Sequence, residues 1–262
     1  MIKIQNSLVI LLVLSVHFVA AQSDSLWNQT DENEQKTGQW KAYHPNGNLR
    51  YKGQFKEGKP FDIFRYYFSN GDLQSVLKYK NDTESYATHY YQNGDMMAAG
   101  KYVNQLKDSV WVSFGEDNVV VEKGGYISGK KYGPWKTFYR SGQVAEELFF
   151  ENDLENGSFK IYFEDGSVKQ EATYKDGFLE GLSTFYDTAG NKTLKGKYVK
   201  GARDGRWIYY KELLEVEKVL EYDKGKLLNP EAEQLIDDSE EFQKNKKDVL
   251  EFEDLNGRIK YE

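Results

Sequence analysis

Aromatic and apolar positions recur along this chain with a period of 24 residues. One slot reads Phe55, Tyr79, Tyr102, Tyr126, Phe150, Tyr174, Tyr198 and Tyr222, with a single step of 23 between Tyr79 and Tyr102. A second reads Tyr43, Tyr67, Tyr90, Phe114, Phe138, Tyr162, Tyr186 and Tyr210. Three residues before it a ring recurs at Trp40, Phe64, Trp111, Trp135, Phe159 and Trp207, while Ala87 and Ser183 stand in the other two units. Glycines keep the same step at Gly133, Gly157, Gly181 and Gly205, at Gly142, Gly166 and Gly190, and at Gly177, Gly201 and Gly225. Self-similarity of this kind marks one small supersecondary unit stacked many times, each unit touching only its neighbours.

Each unit reads as two short strands. In the fifth, the stretch from Gly133 to Arg140 is aromatic, Ser141-Gly142 is a turn, and Gln143 to Phe150 forms the second strand. Equivalent turns are Asn46-Gly47, Asn70-Gly71, Asn93-Gly94, Asp165-Gly166 and Ala189-Gly190. Asn-Gly and Asp-Gly predict two-residue type I′ hairpins, because that turn needs positive φ at both central residues. The register that follows sets Gly133 opposite Phe150, Trp135 opposite Leu148 and Tyr139 opposite Val144 on one face. It sets Lys136 opposite Glu147 and Phe138 opposite Ala145 on the other, with Lys160–Glu171 and Tyr162–Lys169 in the next unit. Opposite charges across a ladder support this pairing.

On the apolar face of the second strands a slot reads Leu49, Leu73, Met96, Val120, Val144 and Val168, followed by a variable slot. The next reads Gly53, Leu77, Gly100, Gly124, Leu148, Ala172, Gly196 and Leu220, and its alternation of tiny and large residues predicts interlocking units with Trp beside Gly.

The pattern Gly-x-Trp-x-x-Tyr-Tyr-x-x-Asn-Gly followed by Tyr-x-x-Gly-x-x-x-Gly resembles the MORN repeat, in the bacterial variant form found in exported proteins and in proteins labelled antitoxin-like. The best stretches run over 38–58, 133–142 and 174–205, and the resemblance covers roughly residues 38–228. It departs at Asn118, which stands at the turn glycine, and at Asp82 and Gln105, where a loop glycine is expected. The resemblance implies an all-β fold, an elongated twisted antiparallel sheet of about eight tandem 24-residue hairpins, and a role in protein or membrane association. Its motif positions are structural, so it implies no catalytic residues.

Residues 1–21 carry Lys3, an apolar run from Leu8 to about Val19 and small residues at the end, the layout of a secretory signal cut near Ala21/Gln22. The run is short for a bilayer of roughly 30 Å. Residues 22–37 read as a polar leader, with Trp27 packing on the first unit. The repeat array occupies 38–228. At 229–250 Asn229 and Pro230 start a capping helix, with acids in its first turn. Asn256-Gly257 mirrors Asn46-Gly47, so 251–262 reads as a truncated terminal hairpin.

Composition narrows the chemistry. The chain has no cysteine, which excludes disulfides, thiolate metal sites and a thiol-linked lipid. A formal charge of −7 spread along the sequence disfavours nucleic acid and anionic membrane surfaces, so no nucleic acid is expected as partner. Outside the signal the histidines are His44 and His89, two units apart, and they read as ordinary surface residues rather than metal ligands. Acid pairs such as Glu146-Glu147 and Asp237-Asp238 have no cleft to work across, and the glycines lack a strand-to-helix loop that would cradle phosphate. No cofactor and no catalytic residues are expected. The binding candidates are tyrosines that the repeat does not require, Tyr66, Tyr91, Tyr139 and Tyr209. Tyr offers large contact area with a polar tip. The expectation is an exported, non-enzymatic scaffold for a protein partner, periplasmic or secreted. A glycan- or envelope-binding module, associated with but not embedded in the membrane, is the alternative, and a hydrolase ranks behind both. N-terminal sequencing of the exported product is expected to begin at Gln22; retention of Met1 would overturn the signal assignment.

Overall fold

A computed structural model of the protein describes residues 27–211 and 214–232. The signal, almost all of the capping helix and the terminal hairpin lie outside the described residues. At the start of the expected helix, Pro230–Ala232 forms one 3₁₀ turn.

The described chain is one open antiparallel sheet. Its first four hairpins pair Lys36–Tyr43 with Leu49–Lys56, Lys59–Tyr67 with Leu73–Tyr79, Glu84–Tyr90 with Met96–Val103, and Leu106–Phe114 with Val120–Ile127. The last four pair Lys130–Phe138 with Val144–Glu151, Leu154–Tyr162 with Val168–Lys175, Gly181–Tyr186 with Lys192–Val199, and Ala202–Tyr210 with Val216–Asp223. Each strand bonds to the next in sequence, so the topology is an unbroken meander. The polar leader adds the short strand Gln29–Thr30 to the first edge, and Trp27 bridges Gln39 and lies under the Lys41 ammonium.

The Asn-Gly turns differ from expectation. Only the glycine is left-handed, as at Gly47, Gly71, Gly94, Gly142, Gly166 and Gly190, and the residue before it is not. The Gly142 amide donates to Tyr139 and the Tyr139 amide to Gln143. This is a three-residue loop, a type I turn closed by a glycine bulge. The extra residue shifts the ladder between Thr137 and Phe138, so Phe138 rather than Tyr139 faces Val144, and Tyr162 faces Val168 rather than Lys169. Registers before the bulge stand as expected, with Gly133 opposite Phe150, Trp135 opposite Leu148 and Lys136 opposite Glu147. The Asn or Asp serves through its side chain: the carboxamide of Asn46 and the carboxylate of Asp165 each accept the amide two residues on. Asn118 and Leu214 take the left-handed role at φ 58 and 64 where glycine is missing.

Type I′ turns do occur, on the opposite edge of the sheet. Glu57-Gly58, Asn104-Gln105, Ser128-Gly129, Asn152-Asp153, Asp176-Gly177, Lys200-Gly201 and Lys224-Gly225 all have positive φ at both residues. Gln105 at φ 66 thus replaces the expected glycine without changing the turn. The turns stack, because the amide of Gly129 donates to Lys107, that of Gly177 to Glu155 and that of Gly201 to Leu179.

Among the described residues the sheet is one layer thick, and it buries its rings by laying them on its own backbone. An added Cβ at Gly53 would lie 2.5 Å from the Phe64 ring, at Gly100 2.3 Å from Trp111, at Gly124 2.0 Å from Trp135 and at Gly196 2.1 Å from Trp207. The expected interlock is therefore real, but its partner is the strand before the ring, eleven residues back, rather than the strand after it. A glycine is not required beneath the ring: Leu148 underlies Phe159, while Leu77 faces the small Ala87 where the ring series breaks. The rings of this slot are between 0 and 7% exposed at Phe64, Trp111, Trp135, Phe159 and Trp207. Edge-to-face contacts to the Phe55–Tyr222 slot continue the layer, as Tyr102–Trp111 at 4.9 Å, Tyr126–Trp135 at 5.1 Å and Tyr198–Trp207 at 4.9 Å. Burying one such ring is worth roughly 4–6 kcal/mol of transfer free energy. The outer-face ion pairs Lys136–Glu147 and Lys160–Glu171 contribute at most about 1 kcal/mol each. Rings, not charges, hold the array.

Gly124→Ala is expected to destabilise by about 1–3 kcal/mol through overpacking, read by thermal unfolding. In a Trp135→Ala background the same change should have little effect. An equal loss in both backgrounds would show that the ring is not the cause.

Candidate functional site

Three features go beyond what the repeat requires. The first is a lid over the rings. Lys36 stands over Trp40 at 4.5 Å, Lys107 over Trp111 at 4.5 Å, Lys131 over Trp135 at 3.9 Å and Arg203 over Trp207 at 4.5 Å. The cation comes four residues before Trp in every unit that has Trp; before Phe64, Phe159 and Ser183 the same place holds Pro60, Glu155 and Leu179. The indole N–H of Trp111, Trp135 and Trp207 donates to the carbonyl of Lys101, Gly125 and Lys197, where a bulge interrupts the ladder. Sequence reading missed this lid, although the spacing Lys/Arg-x-x-x-Trp was its signal.

The second is a lateral row on the ring face. The variable slot of each second strand pairs with the residue before the outer-face aromatic on both neighbouring strands. The pairing runs Tyr51, Tyr66, Ser75, His89, Ala98, Ser113, Glu122, Thr137, Glu146, Ile161, Gln170, Phe185, Leu194, Tyr209 and Lys218. One strip of unrelated chemistry therefore crosses the sheet from end to end. Tyr66 and Tyr209 lie on it. Tyr66 packs 6.0 Å from Tyr51 and hydrogen-bonds to Tyr79, and burial raises its phenol pKa. Tyr209 is half-buried, with Lys218 over its ring at 4.3 Å and the Arg203 guanidinium donating to its hydroxyl at 3.4 Å.

Tyr91 and Tyr139 do not join them. They sit in the Asn-Gly loops, where the Tyr139 hydroxyl donates to the Tyr162 carbonyl at 2.6 Å and the Tyr91 hydroxyl to Phe114 at 3.2 Å. His44 makes the same link to Tyr67 at 2.9 Å. These three side chains tie each loop to the next unit. His89, expected as a surface residue, is half-buried: it stacks on Trp111 at 6.0 Å and its Nε2 lies 3.2 Å from the Tyr102 hydroxyl. Burial, helped by the Lys107 charge, lowers its pKa.

Two places on the ring face stand out chemically. A groove of about 860 Å³ opens over the third unit, lined among others by Tyr66, Ser75, Tyr79, Ser85, His89 and Tyr102. Farther along, burial pushes the Glu146 carboxyl up to about 6, with Glu122 and Glu155 adding to the rise and Lys131 opposing it. Glu147, its sequence neighbour, is on the outer face with Lys136 and the Tyr162 hydroxyl. The raised carboxyl and the groove belong to different units, so the acid is not aimed into the cavity. Among the described residues no group of three His, Cys, Asp or Glu could hold a metal ion.

The third feature is an exposed apolar line along the type I′ edge. Leu106 is 49% exposed, Ile127 53%, Leu154 50% and Phe178 54%. Leu106 touches Gly129, Leu154 touches Gly177 and Phe178 touches Gly201, so each rests on the turn of the next unit.

A family model described as MORN repeat variant matches residues 36–57, 63–81, 131–152 and 155–176. These are the first, second, fifth and sixth units; the unmatched ones carry the shortened third unit, the turn residues Asn118 and Leu214, or Ser183 in place of a ring. No curated protein matches the chain. Among solved structures, a mutant of S. aureus TarM in complex with fondaparinux, alpha-GlcNAc-glycerol and UDP is similar at 18% identity, over 36% of this chain and 19% of that one, with a TM-score of 0.28. The TcdB2-TccC3 structure is similar at 12% identity, over 72% of this chain and 13% of that one, with a TM-score of 0.23. The chain spans less than a fifth of either protein. No property of either is transferred to it.

The carboxyl of Glu146 holds its proton to a higher pH in the fold than in the unfolded chain. Its ionisation therefore opposes folding, with no effect below about pH 4.5 and a growing one as pH rises through about 6. Glu146→Gln is expected to stabilise by about 1–2 kcal/mol at pH 7.5 and to leave the melting temperature unchanged at pH 4.5. An equal gain at both pH values would assign the effect to packing.

Proposed function

We propose that this protein is an exported, non-catalytic repeat scaffold that docks a protein partner along the type I′ edge of its sheet. The observation that carries the reading is the set Leu106 and Ile127 in the fourth unit, Leu154 in the sixth and Phe178 in the seventh, each about half exposed on the same side of the sheet. Single exposed apolar residues are ordinary, but several gathered along one side of a sheet favour an interaction surface. The stacked turns make the line rigid, because each rests on the main chain of its neighbour. Rigid presentation keeps the ordering cost of binding low.

The match to the MORN repeat variant supports a binding role for the array. On this reading the chain falls with the exported bacterial proteins of that kind, including those labelled antitoxin-like. The expected signal at 1–21 would place it in the periplasm or outside the cell, with membrane association only peripheral. Tyr91 and Tyr139 hold loops together and are less suited to specificity than the edge line, whereas Tyr66 and Tyr209 remain on an accessible strip.

Affinity capture from the cell envelope tests this reading. The wild-type protein is expected to retain a defined partner that Leu154→Ser/Phe178→Ser loses, with unchanged circular dichroism, and that a Tyr139→Phe control keeps. A partner lost only from the tyrosine variant would move the interface to the loops.

A further inference from the structure

The third unit is one residue shorter than the others, and its first strand pairs with the second strand of the unit before it from Ser75–His89 to Tyr79–Ser85 without the bulge seen at other unit boundaries. Its ring position holds Ala87. The seventh unit also lacks the ring, but there Ser183 is 1% exposed and its hydroxyl accepts from Gln170 at 3.1 Å. The positions that correspond to Gln170 and Ser183 in the third unit are Ser75 and Ala87. Ala87 is 4% exposed and packed with Ala98 and Trp111 under Leu77 and Tyr102, and the groove opens beside it over Ser75 and Ser85.

Ser75 and Ser85 are 6% and 5% exposed, line that groove and make no side-chain hydrogen bond within the described residues. Neither oxygen is among the sealed, unbonded polar atoms of the described residues, so both open into the groove. Around them stand the Tyr66–Tyr79 hydroxyl pair and the Tyr102–His89 pair, each with lone pairs to spare, and the rings that carry them. The charged groups of the rim are already paired, Asp82 with Lys59 and Glu84 with Lys80 and Lys101. No lysine or arginine lines the groove. An anion would find no cation there, and a purely apolar ligand would seal the two serine hydroxyls without partners, which opposes binding. A neutral molecule with one apolar face and several hydroxyls meets both demands. The groove lies within the size range of small-molecule sites.

We propose that the groove over the third unit binds a neutral sugar, a hexopyranose or a short neutral oligosaccharide, with its apolar face on the tyrosine rings and its hydroxyls on Ser75 and Ser85. The site is independent of the edge line, which runs through the fourth to seventh units. Sugar binding can therefore fail while the scaffold reading stands, and the reverse.

Calorimetric titration of the full-length protein with maltose, cellobiose and chitobiose, with inorganic phosphate as the comparison, decides it. Saturable binding of at least one disaccharide and none of phosphate is expected. Ser75→Ala/Ser85→Ala should weaken it at least tenfold with an unchanged melting temperature, while Ser183→Ala should leave it intact. Tyr66→Phe, which keeps the ring and removes a hydroxyl, should also weaken it and serves if the serine variant is unstable. Absence of saturable binding to all three sugars, binding of phosphate instead, or binding indifferent to both variants would overturn the proposal.

Discussion

In four of the eight units an aromatic ring lies against a glycine of the preceding strand, and the array is organised around that contact. Most sheets bury one face against another layer of structure, and among the described residues this one packs only on itself. The Trp of one unit covers the glycine eleven residues earlier, sends its N–H to the carbonyl ten earlier, receives a cation from four earlier and meets a ring of the Phe55–Tyr222 slot fifteen later. Four positions are bound to one side chain. A period so constrained cannot slip by a residue without breaking several contacts together, which is why the 24-residue step holds from Trp111 to the end of the array.

That same constraint explains how far the sequence could be read. The period, the hairpins, the strand direction and the registers up to Thr137–Glu146 were legible, because alternation and charge pairing are local. The turns were not. An Asn-Gly step serves equally in a two-residue type I′ turn and in a three-residue type I turn with a glycine bulge, and the two differ by a single residue in the ladder. The side chain of Asn46 decides the matter by accepting the Asn48 amide, a contact invisible in a dipeptide. The interlock was legible in kind but assigned to the wrong neighbour. Across the hairpin, Trp135 faces Leu148 and the rule fails; across the unit boundary it covers Gly124 and the rule holds, with Leu77 over Ala87 as its mirror image.

The candidate sites were legible only in part, for a different reason. The variable slot showed as a gap in periodicity, but a gap has no chemistry until lateral pairing lines up its members. Only then do Ser75, His89 and Ala98 become neighbours, and Glu122, Thr137 and Glu146 likewise. Tyrosines chosen for lying outside the motif split evenly: Tyr66 and Tyr209 fall on the strip, while Tyr91 and Tyr139 serve the loops. The missing residue between Tyr79 and Tyr102 was visible as a step of 23, yet its effect, loss of a bulge and opening of a groove, follows from the ladder and not from the count.

A division of labour results between positions that repeat and positions that do not. Rings, glycines and turns recur because nearest-neighbour packing supplies nearly all of the stability of a one-dimensional array. The strip and the edge line are free to vary because, among the described residues, no second layer rests on them. Glu146 illustrates the freedom: partly exposed on a single sheet and near Lys131, its carboxyl rises only to about 6, and the fold tolerates it beside Glu122. Ala87 and Ser183 illustrate it again. Both delete the ring, and the neighbouring rings of each unit keep their place; Gln170 bonds the serine at one, while the alanine at the other is packed under Leu77 and Tyr102 with a groove open beside it among hydroxyls. An array of this kind can therefore carry a groove at one unit boundary, because each unit depends on the pair beside it and on nothing farther away.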